Sequence, residues 1–211
     1  MAYEEIDYQP LAAELPADVQ ALIDAAEARF EQFYAEKLNQ RYPRYIASEP
    51  AQVYAALKWV TDRELAPELR FMEWGSGFGV ATGMAALLGY DATGIELRAG
   101  LVAIARELLA SQSIAADFLC TSYIPDGFIE YDVAGGSDLV ADNSFGYQLE
   151  NGPIYQDEEQ EVDIAEVDLF YAYPWPGEQE MMLKLFDAVA EVDAILIAYY
   201  GDCEICIYRK L

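Results

Sequence analysis

The stretch Glu73-Trp74-Gly75-Ser76-Gly77-Phe78-Gly79 sets an acid two places ahead of three alternating glycines. Glycine reaches φ > 0 without penalty and, lacking Cβ, lets a ligand lie against backbone N–H groups. A second acid, Glu96, closes the short run Asp91-Ala92-Thr93-Gly94-Ile95-Glu96. A carboxylate at the tip of a second strand is placed to hold a ribose diol by two hydrogen bonds. Further along, Tyr171-Ala172-Tyr173-Pro174-Trp175-Pro176 makes a rigid aromatic and proline lip, whose ring faces attract a cation. The chain contains no histidine, which removes the commonest general base.

These residues need a scaffold, and the surrounding pattern supplies one. Arg70 to Trp74 reads as a strand that enters the glycine turn, and Val80 to Leu88 as the helix that leaves it. The alternation continues with a strand over Ala92–Leu97, a helix over Ala99–Gln112 and a strand over Ala116–Ser122. After a gap come a strand over Val167–Tyr173, a helix over Glu178–Ala190 and a strand over Ala194–Tyr200. Alternating β and α units specify a parallel sheet with helices on both faces. Gly201-Asp202 turns the chain back into a last strand, Cys203 to Lys210. That strand is antiparallel, because a two-residue link cannot make a parallel crossover.

Ahead of this core, Met1 to Leu15 reads as loose. A helix from Pro16 or Asp18 to about Gln40 keeps Val19, Leu22, Ile23, Ala26, Phe30, Phe33 and Tyr34 on one face. A second helix runs from Pro50 to about Leu65, with proline in its first turn. The domain reading is therefore a helical N-terminal extension over residues 1–66 and a ligand-binding domain over 67–211. Within the latter, residues 124–165 form an irregular insertion in place of an expected helix, with Phe128 to Tyr131 hinting at a strand and Asn151-Gly152 at a hairpin.

Composition narrows the function. The 211 residues carry 38 Asp and Glu against 12 Lys and Arg, a formal net charge of −26. Such a surface repels phosphate backbones, so a nucleic-acid partner is disfavoured. The skew is local too, since no Lys or Arg lies between Arg106 and Lys184. No apolar run reaches the ~20 residues of a membrane span, and the acidic start lacks a signal pattern, which points to a cytoplasmic protein without a membrane partner. Cys203 and Cys206 form a C-x-x-C. Residues three apart on a strand face opposite sides, and with no histidine or second cysteine pair no metal site is expected.

Dinucleotide sites carry G-x-G-x-x-G. Counted from Gly75 the third glycine would fall at Val80, and from Gly77 at Thr82, so neither frame fits. The acid followed by G-x-G-x-G instead resembles motif I of the class I S-adenosylmethionine-dependent methyltransferases, over about Phe71 to Tyr200. The resemblance implies a Rossmann-like α/β fold with S-adenosylmethionine as cofactor. Glu73, Gly75, Ser76, Gly77 and Gly79 would form the cofactor turn. Glu96 would take the ribose hydroxyls, Leu97 would flank the adenine, and Ser122 would stand where the family often places an adenine-binding Asp. Tyr173-Pro174-Trp175-Pro176 resembles motif IV, which makes Tyr171, Tyr173 and Trp175 the candidate catalytic residues. The Asn carbonyl of base-modifying relatives is missing, so DNA-base methylation is not expected. Acidity favours an amine acceptor, on a basic protein or a small molecule. Tyr42, Tyr45 and Ser48 are placed to close over the cofactor. Family members usually add a helix and strand after the fifth strand, and this chain lacks them, so its sheet should end early. Two other classes stay open: a nucleotide-sensing or scaffolding protein without turnover, and a nicotinamide oxidoreductase, against which the glycine spacing speaks.

Overall fold

The protein is described from a computed structural model, which covers residues 2–9, 14–125, 128, 154–157, 160–201 and 204–211. Its strands are β1 (Tyr3–Ile6), β2 (Arg70–Trp74), β3 (Asp91–Ile95), β4 (Asp117–Leu119), β5 (Ile154–Gln156), β6 (Glu161–Asp163), β7 (Leu169–Ala172), β8 (Ile195–Gly201) and β9 (Glu204–Lys210). Its helices are α1 (Ala17–Ala35), α2 (Leu38–Arg41), α3 (Pro50–Asp62), α4 (Val80–Leu87), α5 (Ala99–Ser111) and α6 (Gln179–Val189).

Seven strands form one sheet in the order β1-β9-β8-β7-β2-β3-β4. The inner strands β4, β3, β2, β7 and β8 are parallel, as the alternating pattern requires. β9 returns antiparallel to β8, with an irregularity between Tyr199 and Gly201. Along each inner strand successive side chains go to opposite faces. Phe71, Leu169 and Ile195 join the cluster beneath α1, α3, α4 and α5. Met72, Phe170 and Leu196 join the one beneath α6.

The first fifteen residues correct the sequence reading. They are not loose throughout, because β1 pairs antiparallel with β9 from Tyr3↔Lys210 to Ile6↔Ile207. β1 therefore runs in the same direction as β8 and adds an edge strand beyond β9, so the sheet does not end early, contrary to expectation. Asp187 on α6 locks the join, accepting from Ala2 N at 2.9 Å and Lys210 Nζ at 2.6 Å. The signal in sequence was weak, since a four-residue edge strand shows little periodicity.

α1 buries Val19, Leu22, Ile23, Ala26 and Phe33. Tyr34 is half exposed, so the expected apolar stripe is narrower than the pattern suggested. The helix breaks at Lys37, whose φ of 59° is left-handed, and α2 begins a new turn. α1 lies close on α4 because Gly83 has no Cβ; one added there would stand 2.9 Å from Leu22. Within the insertion, β5 and β6 pair as a separate small ladder. Between them Asp157 accepts from Cys120 N at 2.9 Å, and Gln160 donates to Phe118 O at 2.8 Å, which ties this ladder to β4. The strand and turn expected at Ile129 to Tyr131 and Asn151-Gly152 lie outside the described residues, as do Asp202 and Cys203. Cys206 is half buried on β9.

Candidate active site

β2, β3 and β7 all end at one edge of the sheet, and a cleft of about 1090 Å³ lies over that edge. Ligands of open α/β sheets bind outside these strand ends. The floor and walls come from Glu73, Gly75 and Ser76 after β2, Glu96 and Leu97 after β3, Ser122 after β4, and Tyr171, Tyr173 and Trp175 at β7. Nine of the expected site residues thus share one cavity. Gly77 and Gly79 do not line it.

The turn itself works differently from the expectation. Gly75 N and Ser76 N both donate to Ile95 O, at 2.9 and 2.8 Å, and Gly79 N donates to Ser76 O at 2.7 Å. Gly77 N donates to Glu96 Oε2 at 3.1 Å. The amides expected to await a ligand are spent within the protein. The glycines serve geometry instead. Gly77 has a φ of 53°, and a Cβ there would overlap the Tyr45 ring. That ring stacks on Phe78 with centroids 4.3 Å apart and covers the Gly77 end of the turn. Of the three glycines of the turn, Gly75 alone lines the cleft, with Ser76 and Phe78.

Two buried carboxyls face each other across this turn. Glu73 accepts from Thr82 N at 2.9 Å and Thr82 Oγ1 at 2.6 Å. Burial nonetheless pushes its pKa up to about 8, against the lowering effect of those bonds. Thr82, one turn into α4, is a partner that the glycine spacing gave no hint of. Glu96 accepts from Arg98 N at 2.8 Å as well as from Gly77 N. Burial raises its pKa, and the two backbone bonds oppose the rise. Each carboxylate oxygen has two acceptor positions, so Glu96 keeps room for a diol.

The roof is the proline-broken segment 41–48 between α2 and α3. Arg44, which sequence reasoning did not single out, donates to Glu178 Oε1 at 2.9 Å and lies 5.0 Å from the centre of the Trp175 ring. Glu178 also accepts from Trp175 N at 3.3 Å. The roof is therefore latched to the aromatic lip by one ion pair and one cation–π contact. The available signal was an arginine beside the proline break in a chain with only 12 Lys and Arg. Tyr173 meets Tyr199 edge-on at 4.8 Å, and Tyr123 stacks on Trp74 at 6.2 Å. The Ser122 hydroxyl accepts from Ile124 N at 3.1 Å, which fixes the β4 exit. Asp168, one residue before β7, sits at the opposite edge, where it accepts from Glu68 N and Arg70 N.

Several buried polar atoms on this lining have no hydrogen-bond partner among the described residues: Trp74 Nε1, Ser76 Oγ, Tyr171 OH and Arg44 Nε. Among the described residues, no group of three or more His, Cys, Asp or Glu is placed to hold a metal ion. No helix among them is long and apolar enough to cross a membrane.

The sheet order and its helix layers make a Rossmann-like α/β fold, which solved methyltransferase structures share. A methyltransferase from Geobacter sulfurreducens is similar over 95% of this chain and 93% of its own, at 11% identity and a TM-score of 0.50. An RNA methyltransferase from Salinibacter ruber, solved with S-adenosyl-L-homocysteine, matches 78% of this chain and 92% of its own, at 16% identity and a TM-score of 0.49. An O-methyltransferase from Bacillus cereus, solved with the same product, matches 89% and 68%, at 12% identity and a TM-score of 0.49. No family model and no curated protein matches the sequence.

Proposed function

We propose that this protein binds S-adenosylmethionine and transfers its methyl group to a small acceptor held under the 41–48 roof. The observation that carries the reading is Glu96, buried at the tip of β3 beside the Gly75–Ser76 turn, on the wall of a cleft at the ligand-binding edge of this fold. The fit is reasonable in size and chemistry. At about 1090 Å³ the cleft reaches the upper end of the ~300–1,000 Å³ typical of ligand sites, enough for a nucleoside-sized cofactor and a small acceptor together. In this reading residues 67–211 hold the cofactor, and the segment contributed by residues 1–66 covers it.

S-adenosylmethionine would supply an electrophilic methyl on a sulfonium, with the C–S electron pair left on sulfur when an acceptor lone pair takes the carbon. The chain's own residues contribute alignment. Glu96 fixes the ribose and Leu97 borders the base. Tyr171, Tyr173 and Trp175 surround the acceptor, and the Arg44–Glu178 latch shuts out water. Any proton lost by the acceptor passes to water, since no histidine exists.

The second reading is a nucleotide-sensing or scaffolding protein without turnover. One observation favours it: the spent turn amides and the Tyr45 cover leave less of the turn open than transfer chemistry would use. A net charge of −26 continues to disfavour nucleic acid as the acceptor. The test is calorimetry with S-adenosylhomocysteine and with NADH, followed by radiolabelled methyl transfer into separated small-molecule, protein and RNA fractions. Binding of the homocysteine product with label in the small-molecule fraction supports the proposal. Binding without transfer favours the second reading, and selective NADH binding rejects both.

A further inference from the structure

The unpartnered buried atoms of the cleft share one property. Trp74 Nε1 and Arg44 Nε can only donate hydrogen bonds, and the Ser76 and Tyr171 hydroxyls are able to donate. Buried polar groups without partners are rare in folded proteins, because each forfeits its hydration without a compensating bond. Four on one lining mark a place where a ligand supplies the missing acceptors. Ser76 and Trp74 flank the glycine turn, the cofactor's side. Tyr171 and Arg44 belong to the lip and roof, the acceptor's side.

On that second side the charges run against the expectation of an amine. The carboxylate beside the lip, Glu178, is occupied by Arg44 and by Trp175 N. The cation, Arg44, keeps its Nε without a partner. Tyr171 is fully buried, with its pKa raised by that burial, so its hydroxyl keeps its proton and remains a donor. Ser48 approaches the same phenol without good hydrogen-bond geometry. The surrounding walls, Tyr173, Pro174 and Trp175, are flat and apolar.

We infer that the acceptor is a small planar acid, whose carboxylate is read by Tyr171 OH and Arg44 Nε while its ring lies against Tyr173 and Trp175. The inference rests on the methyl-transfer reading of the same cleft, and an ammonium substrate is excluded by it. A carboxylate in that position accepts both donors and leaves the Arg44–Glu178 latch in place. Beside the lip an ammonium would face a guanidinium and a phenol proton, with Glu178 already occupied by Arg44 and Trp175 N; the cleft's other carboxylates, Glu27, Glu31, Glu73 and Glu96, come from α1 and from the ends of β2 and β3.

The probe is benzoate, set against benzylamine, which has the same ring and the opposite charge. Each is titrated calorimetrically into the protein with and without saturating S-adenosylhomocysteine. Benzoate is expected to bind one per chain and benzylamine at least about tenfold more weakly. Tyr171→Phe, which removes one oxygen, should weaken benzoate by about tenfold, the loss of one hydrogen bond to a charged group. Arg44→Gln should weaken it further. The homocysteine titration on each variant reports separately whether the cleft is intact and whether the cofactor reading holds. Equal or tighter binding of benzylamine, no benzoate binding at millimolar concentration, or an unchanged benzoate affinity in an intact Tyr171→Phe protein would overturn the inference. Failure of the homocysteine product to bind, with benzoate still captured, would instead overturn the cofactor reading.

Discussion

Glu73→Gln isolates the most unusual electrostatic feature of the molecule. The Glu73 carboxyl is buried, and its pKa is pushed from the ordinary 4.5 up to about 8 because burial outweighs two hydrogen bonds from Thr82. The folded state therefore holds this proton over a pH range in which the unfolded chain has released it. Stability must then fall as pH rises from about 4.5 to about 8. Each pH unit in that window removes about 1.4 kcal/mol, so the loss from pH 5 to pH 8 is about 3–4 kcal/mol. Out of a typical 5–15 kcal/mol that is a large share.

Glutamine keeps a carbonyl oxygen for Thr82 N and Oγ1 and has no proton to lose. Urea unfolding at pH 5, 6, 7 and 8 measures the effect. The wild type should lose stability across the series, and Glu73→Gln should lose about 3–4 kcal/mol less over the same interval. Glu96 and Asp168 also have raised pKa values from burial, but both remain in the variant, so the difference between the two profiles reports Glu73 together with its repulsion from Glu96. Parallel profiles would show that the carboxyl ionises normally in the fold, and the account of the site's electrostatics would fail.

Glu96→Ala should weaken S-adenosylhomocysteine by about tenfold or more, since it strands the diol's hydrogen bonds; unchanged calorimetric affinity would count against the assigned cofactor position. If a cationic cofactor settles beside Glu73, its binding expels the Glu73 proton, so affinity for S-adenosylmethionine should rise between pH 6 and 8 in the wild type and stay flat in Glu73→Gln. Gly77→Ala forces a side chain into a left-handed backbone, at about 1–2 kcal/mol, and into the Tyr45 ring. In a double-mutant cycle with Tyr45→Ala the combined loss should be smaller than the sum of the two, and strict additivity would mean that the ring does not rest on Gly77. Asp187→Ala should cost about 1–2 kcal/mol by freeing Ala2 N and Lys210 Nζ. Its carboxyl has a lowered pKa, chiefly from Lys210, so that contribution is present above the ordinary 3.8 and is lost as pH falls below it, which acid titration of the variant would check.

The inner sheet was legible because each strand and each following helix carries its own period. Arg70–Trp74 begins and ends where the pattern placed it, and the antiparallel return followed from the length of its turn. β1 was not legible, because its reason for being a strand is β9, two hundred residues away along the chain, and four residues hold too few side chains to show alternation. The same distinction divides the site. Glu96, Tyr171 and Trp175 were readable as strand-tip residues, since topology alone brings strand tips together. What the turn amides do was not readable, because that depends on which oxygens come to meet them. Ile95 O and Glu96 Oε2 take the protons that the glycine pattern seemed to reserve. Nor did the pattern show Arg44 crossing from the roof to Glu178. A motif specifies a backbone path, whereas the occupancy of its polar groups is a tertiary property. In the proposed reading of this chain, that difference moves the ligand contacts from glycine amides to the side-chain donors around the cleft.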